Sequence, residues 1–184
     1  QGVSQMNKWA TSDTHFGHAN VLQYDRRPFA TIEEHDEALI ANWNRFVMPG
    51  DVVYHIGDVA WHTQVANIDA LLRRLNGTKI LILGNHDEGR VAKSKEWAKV
   101  TPYLEATWGG HKVCMFHYRM TVWNQIHRGA WALHGHSHGT LPPILTAKTI
   151  DVGTMCWGYR PISFGEISVE MARRTFEPVD HHKE

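Results

Sequence analysis

Several features are scarce in this chain of 184 residues, and each scarcity removes a class of function. Cysteine occurs only at Cys114 and Cys156. Two cysteines are too few for a disulfide framework, and their spacing fits no thiolate metal motif. No apolar run is long enough to cross a bilayer, and no secretory leader opens the sequence. A reducing, cytoplasmic setting is therefore expected. An excess of one charge is missing too: Lys and Arg total 19, and Asp and Glu total 19. A balanced chain lacks the broad footprint of a protein that binds extended duplex nucleic acid or an anionic membrane, and neither partner is expected. Internal repeats, low-complexity tracts and linkers are absent as well.

What remains fits one domain, with 42% apolar residues for a core. Residues 1–5, ahead of Met6, read as an artificial leader, residues 6–178 as the domain, and residues 179–184 as a polar tail. Histidine is the abundant residue, with 14 copies. It is the commonest neutral metal ligand and titrates near neutral pH, so its placement matters more than its number.

The first half alternates. Residues 8–12 predict a short strand that runs into the polar loop Asp13-Thr14-His15-Phe16-Gly17-His18. Thr31-Ile32-Glu33-Glu34 has capping-box spacing, and Ala38, Leu39, Ala41, Trp43 and Phe46 recur as on a helix. Residues 52–56 predict a buried strand closed by Gly57-Asp58, residues 65–75 a helix, and residues 79–83 a strand closed by Gly84-Asn85-His86-Asp87. The second half predicts short strands at 111–116, 130–133 and 148–152, then a final helix behind the capping-box spacing of Ser163 to Glu166. This order argues for a layered α/β domain with two facing sheets.

Five polar clusters each follow a predicted strand: Asp13-Thr14-His15, Gly57-Asp58, Gly84-Asn85-His86-Asp87, His117, and Gly135-His136-Ser137-His138. Sites in α/β sheets gather beyond the carboxyl ends of strands. Taken singly, the clusters have plain readings: turn residues for Gly-Asp, a structural histidine for His117. Together and in this order they point to metal ligation. Oxygen and nitrogen donors without thiolate suit Mn, Fe, Zn, Co or Ni. Two ions about 3.5–4 Å apart need a bridging carboxylate, and such a pair activates a hydroxide and neutralises phosphoryl charge.

These motifs, in this order, resemble the calcineurin-like metallophosphoesterase superfamily over roughly residues 8 to 155. Its pattern is D-x-H, G-D, G-N-H-D/E, a histidine, then G-H-x-H, and no ligand position departs from it. Ser12 to Asn20 and Arg26-Arg27-Pro28-Phe29 look like a group of small single-domain bacterial and phage phosphoesterases. The resemblance implies a four-layer sandwich of two stacked mixed β-sheets flanked by helices. It implies two divalent ions, with Mn expected and Fe, Zn, Ni, Co or Mg as alternatives. One ion would be held by Asp13, His15, Asp58 and His138, the other by Asp58, Asn85, His117 and His136. His86 would act as general acid or hydrogen-bond the phosphate, with Asp87 orienting it. Hydroxide held between the ions would attack in line, with no phosphoenzyme. The expected substrate is a small phosphate ester or nucleotide-like molecule, with a diester favoured. A monoesterase or nuclease with the same site, or a non-catalytic binding module on the same fold, are the competing readings.

Six more residues are candidates for substrate contact. His18 lies one turn past His15. Arg26 and Arg27 could meet a phosphoryl group, since arginine suits bidentate contact. Arg119, Trp123 and Asn124, after His117, could form a base pocket by stacking and hydrogen bonding. The plain alternatives are a solvated turn and a surface loop. His35, His55, His62, His111, His127, His181 and His182 fit no ligand pattern and are expected to be structural or on the surface. Asp151 and Gly153 are read as turn residues.

Overall fold

The computed structural model describes residues 6–62 and 64–177. The expected leader and polar tail, with His181 and His182, lie outside the described residues. Five strands form the first sheet in the order β4 (Trp97–Thr101), β3 (Thr78–Ile82), β2 (Val52–His55), β1 (Lys8–Thr11) and β9 (Ile162–Ser163). All its pairings are parallel except β1 with β9. The second sheet runs β5 (Leu104–Trp108), β6 (His111–Met115), β7 (Trp131–His134), β8 (Thr149–Asp151), parallel except for β5 with β6. Both sheets are therefore mixed, and they stack to form the expected α/β architecture.

Side-chain alternation explains the layers. In the first sheet Trp9, Val53 and Leu81 point one way, into a cluster with Leu39, Trp43, Ile68 and Leu72. Those four come from α2 (Ile32–Phe46) and α3 (Val65–Arg74), which cover that outer face. Their neighbours Ala10, Tyr54 and Ile82 point the other way and meet Val113, Met115, Trp131 and Leu133 of the second sheet. Ile167 and Met171 of α4 (Phe164–Ala172) close the same cluster. Cys114 and Ala132 face outward instead, under a cover of loop and a single 3-10 turn (Ile126–Arg128) that carries Trp123 and Ile126. Among the described residues no helix is long and apolar enough to cross a membrane.

The caps behave as their residue types dictate. Ser163 and Glu166 form a complete capping box. At α2, Thr31 accepts from the Glu34 amide as expected, but Glu34 reaches back to the Ala30 amide, one residue earlier. The short helix α1 (Val21–Tyr24) and strands β4, β5 and β9 are additions to the expected elements.

The parallel registers aim the carboxyl ends of β1, β2 and β3 in one direction, and β6 and β7 do the same in their sheet. The two sets are tied across the sandwich. His117 Nδ1, after β6, donates to Ile56 O, after β2, at 2.7 Å, and the His136 amide, after β7, donates to Asp13 Oδ2, after β1, at 3.0 Å.

Candidate metal centre

At these joined ends the structure gathers two groups of donors. Asp13, His15 and His138 offer ligand atoms within 4.8 Å of one another, and so do Asp58, His117 and His136. In the first group His15 Nε2 and His138 Nε2 face each other at 3.3 Å, and His138 Nε2 lies 3.4 Å from Asp13 Oδ1. In the second, Asn85 Oδ1 lies 3.1 Å from both His117 Nε2 and His136 Nδ1. Asp58 Oδ2 stands between the groups, 3.5 Å from His117 Nε2 and 3.8 Å from His15 Nε2.

The donor sets fit divalent ions. Ligands bound at about 2.0–2.2 Å sit roughly 3–3.5 Å from one another, close to the separations found here. The electrostatics also call for positive charge. Burial opposes protonation of His138, yet its bonds to Asp13 and Asp25 push it up to about 10. Burial holds His15 down to about 3 against the pull of Asp13 and Asp58, which leaves a neutral imidazole with a free lone pair. Burial alone would raise Asp58, but the hydrogen bond and charge of His117 hold it at about 2, ionised at any working pH.

The backbone carries strain at the same positions. Among the described non-glycine residues eight have positive φ, and five of them are candidate ligands: Asp13 (55°), His15 (51°), Asp58 (58°), His136 (66°) and His138 (48°). Left-handed backbone at such residues costs roughly 1–3 kcal/mol each, and persists where the surroundings demand it. The motif glycines have a steric reason. A Cβ on Gly57 would come within 2.5 Å of the Gly84 amide and of His117 Nδ1, and one on Gly135 would collide with Ser12 Oγ. The loops pack too closely for any side chain there.

Supporting contacts fix the rings. His117 is oriented by the Ile56 carbonyl and His138 by Asp25, whose Oδ2 lies 2.7 Å from His138 Nδ1. Ser12 hydrogen-bonds Asp13, and the His136 amide donates to both Asp13 oxygens at 3.0 and 3.1 Å. Such partners set tautomer and basicity at metal sites.

His86 is exposed at the open side of the groups, with its ring 6.1 Å from that of His15 and 5.0 Å from that of Trp61. The expectation that Asp87 orients it requires correction. Asp87 is fully buried, and its carboxylate accepts the Asp58, Val59 and Gly84 amides at 2.8–3.0 Å. Asp87 clamps the β2 and β3 loops together; no hydrogen bond to the His86 ring occurs among the described residues.

The six substrate candidates separate. His18 reaches the site, with Nδ1 3.4 Å from His15 Nδ1. Arg26 is exposed, without a side-chain partner among the described residues. Arg27 is buried and already committed, donating to Asp13 O, Thr14 O and Asp25, so it supports the ligand loop from behind. Trp123 is core, with Nε1 donating to Ala130 O. Asn124 donates to Glu105 on the surface. Arg119 donates to Pro142 O and lines a separate cavity with His134 and Asp151. Among the described residues none of these last three bonds to a candidate ligand; their hydrogen bonds go to Pro142, Ala130 and Glu105. Asp151 accepts the Gly139 and Gly153 amides, as a turn residue does.

Sequence reasoning passed over Asp25 and Trp61. Asp25 supports His138 from 113 residues away, which no local spacing reveals. Trp61 follows no motif, but an indole close behind the Gly-Asp cluster was a usable signal. His35, His55 and His111 behave as structural or surface residues: His35 pairs with Arg27 and Asp36, His55 with Thr14, and exposed His111 stacks on Trp131. Cys114 and Cys156 are both free.

Comparison with known proteins bears on this arrangement. The model of the family described as calcineurin-like phosphoesterase matches residues 6–152. An uncharacterized protein of Methanocaldococcus jannaschii is 34% identical over 167 residues, covering 88% of this chain and 89% of that protein. The gene 66 protein of Mycobacterium phage L5 is 31% identical over 194 aligned positions, covering 88% and 92%. A solved structure from Aquifex aeolicus, of a protein of unknown function, superposes with a TM-score of 0.75 at 22% identity. It covers 90% of this chain and 100% of its own, a likeness of fold.

Proposed function

This chain belongs to the calcineurin-like phosphoesterase family, and on that premise we propose that it is a dinuclear-metal phosphodiesterase acting on small phosphate esters. The observation that carries the reading is the place of Asp58, whose Oδ2 borders both donor groups at 3.5 and 3.8 Å. We assign one ion to Asp13, His15, Asp58 and His138, and the other to Asp58, Asn85, His117 and His136. Bound there, a pair of divalent ions supplies an activated water and Lewis acidity toward the phosphoryl oxygens. The thiolate-free donor set suits Mn, the ion proposed, and equally admits Fe, Zn, Co or Ni.

The remaining work falls to the chain's own residues. Asp25 and the Ile56 carbonyl hold His138 and His117 with their Nε2 atoms turned toward the donor groups. The three backbone bonds to Asp87 hold the Asp58 and Gly84 loops in register. His86 is not assigned as a ligand; exposed beside His15, it donates its ring proton to the departing oxygen.

The test is hydrolysis of bis-p-nitrophenyl phosphate and p-nitrophenyl phosphate after EDTA treatment and re-addition of Mn, Ni, Co, Zn or Mg, with metal content measured alongside. Two ions per chain and diester turnover restored by Mn are expected. Silence with every ion, in protein shown to be folded, would sink the reading.

A further inference from the structure

Beside the donor groups lies a cleft of about 250 Å³ lined by Trp61, His62, His86, Glu88, Arg90 and Val91. Trp61 is 49% exposed, so much of this large apolar ring is open to solvent at the cleft. Its ring is held ready. One face stacks on His18, with ring centroids 4.6 Å apart and planes 15° apart, and its backbone amide donates to Phe16 O at 2.7 Å. The ring of His86 is roughly perpendicular to this indole, with centroids 5.0 Å apart, and its centroid is 6.1 Å from that of His15. A planar group resting on Trp61 would thus sit near the donor groups. At the cleft's rim Glu88 and Arg90 are exposed, and neither side chain has a hydrogen bond or ion pair among the described residues. One offers acceptors and the other donors, so the cleft suits a flat ring that carries both kinds of group on its edge. A nucleobase has such an edge; a plain phenyl ring does not.

We propose that Trp61 is the stacking platform for a nucleobase, so that one arm of the ester bound at the metal centre is a nucleoside. This proposal rests on the phosphoesterase reading above and names its substrate class.

Calorimetric titration of Mn-supplemented protein with adenosine 5′-monophosphate, ribose 5-phosphate and phenyl phosphate tests it. All three are monoesters, products rather than substrates of a diesterase. The adenosine compound should bind about tenfold or more tighter than ribose 5-phosphate, and tighter than phenyl phosphate, as expected for base stacking on an indole. Trp61→Leu should remove most of that advantage and leave ribose 5-phosphate binding as the internal check of folding. Trp61→Phe should keep much of it. Equal binding of the adenosine compound and either control, or a ratio unchanged in Trp61→Leu, would overturn the proposal. The two readings fail separately. A base-dependent ratio in protein that hydrolyses no model ester would leave this site standing and remove the phosphoesterase reading.

Discussion

Asp25 Oδ2 lies 2.7 Å from His138 Nδ1 and accepts two further bonds from Arg27, at 3.0 and 3.1 Å. One oxygen thereby orients a candidate ligand and anchors a buried cation. Removing the acceptor charge should loosen His138 without touching the other donor group. Asp25→Asn is expected to weaken one of the two metal sites by about 10–100-fold and leave the second within experimental error. Competition with a chromophoric chelator measures both sites; equal loss at both, or at neither, would contradict the assignment.

Arg27 is 4% exposed, and its guanidinium reaches Asp13 O, Thr14 O, Asp25 and His35. Breaking a buried ion pair from one side strands the partner charge. Arg27→Met should therefore destabilise the metal-free protein by about 3–5 kcal/mol in urea denaturation. Arg27→Lys should recover little of it, since an ammonium cannot serve four separated acceptors in one plane. A cost below about 1 kcal/mol for Arg27→Met would mean that the ligand loop holds its shape unaided.

The positive φ of His15 makes an unusual stability prediction. At 51° a Cβ is strained, and glycine is not. His15→Gly should leave the metal-free protein about 1 kcal/mol more stable than His15→Ala, although it removes more of the residue. On a helix the order would be reversed. Thermal melts of the two variants in EDTA settle the sign.

Much of this fold was legible because central strands announce themselves. The strands β1, β2 and β3 are buried and lead straight into polar loops, so residue type and position agreed. The edge strands were not legible. In β4 only Trp97 is buried, followed by exposed Ala98, Lys99 and Val100, and in β5 only Trp108 is buried. A strand with one covered end and a solvated edge leaves no periodic signal. The donor residues were legible because each sits directly after a strand. Their supports were not, because Asp25 meets His138, and Arg27 meets the Asp13 carbonyl, only through the folded chain. Trp123 misled for a related reason: an indole near a ligand motif reads equally as pocket or core, and its bond to Ala130 O makes it core.

His86 and Asp58 should separate chemistry from metal binding. His86→Ala is expected to retain both ions while losing turnover by roughly 10²–10⁴-fold on esters with poor leaving groups, and less on nitrophenyl esters. Asp58→Asn should weaken both ions together, because its Oδ2 faces both groups. Metal analysis beside kinetics on alkyl and aryl esters distinguishes the two. Loss of an ion from His86→Ala would make it a ligand and remove it as the acid.

Far from the site, Glu166 offers a pH-dependent test of the α4 cap. Its carboxylate accepts the Ser163 amide at 2.9 Å and pairs with Arg160 at 2.5 Å. The Arg160 hydrogen bond, with the amide bond and hydroxyl of Ser163, outweighs burial and lowers Glu166 to about 2, from an ordinary value of 4.5. A depressed folded value means that the ionised form is the one the fold favours. The stabilisation is therefore full above the unfolded value near 4.5, and it is lost as pH falls toward 2. Glu166→Gln should melt below the parent at neutral pH, and the two curves should converge between pH 4.5 and 2. Melts of EDTA-treated protein at several pH values measure the gap. A gap that stays constant through that window would assign the effect to the neutral geometry of the capping box rather than to the charge on Glu166.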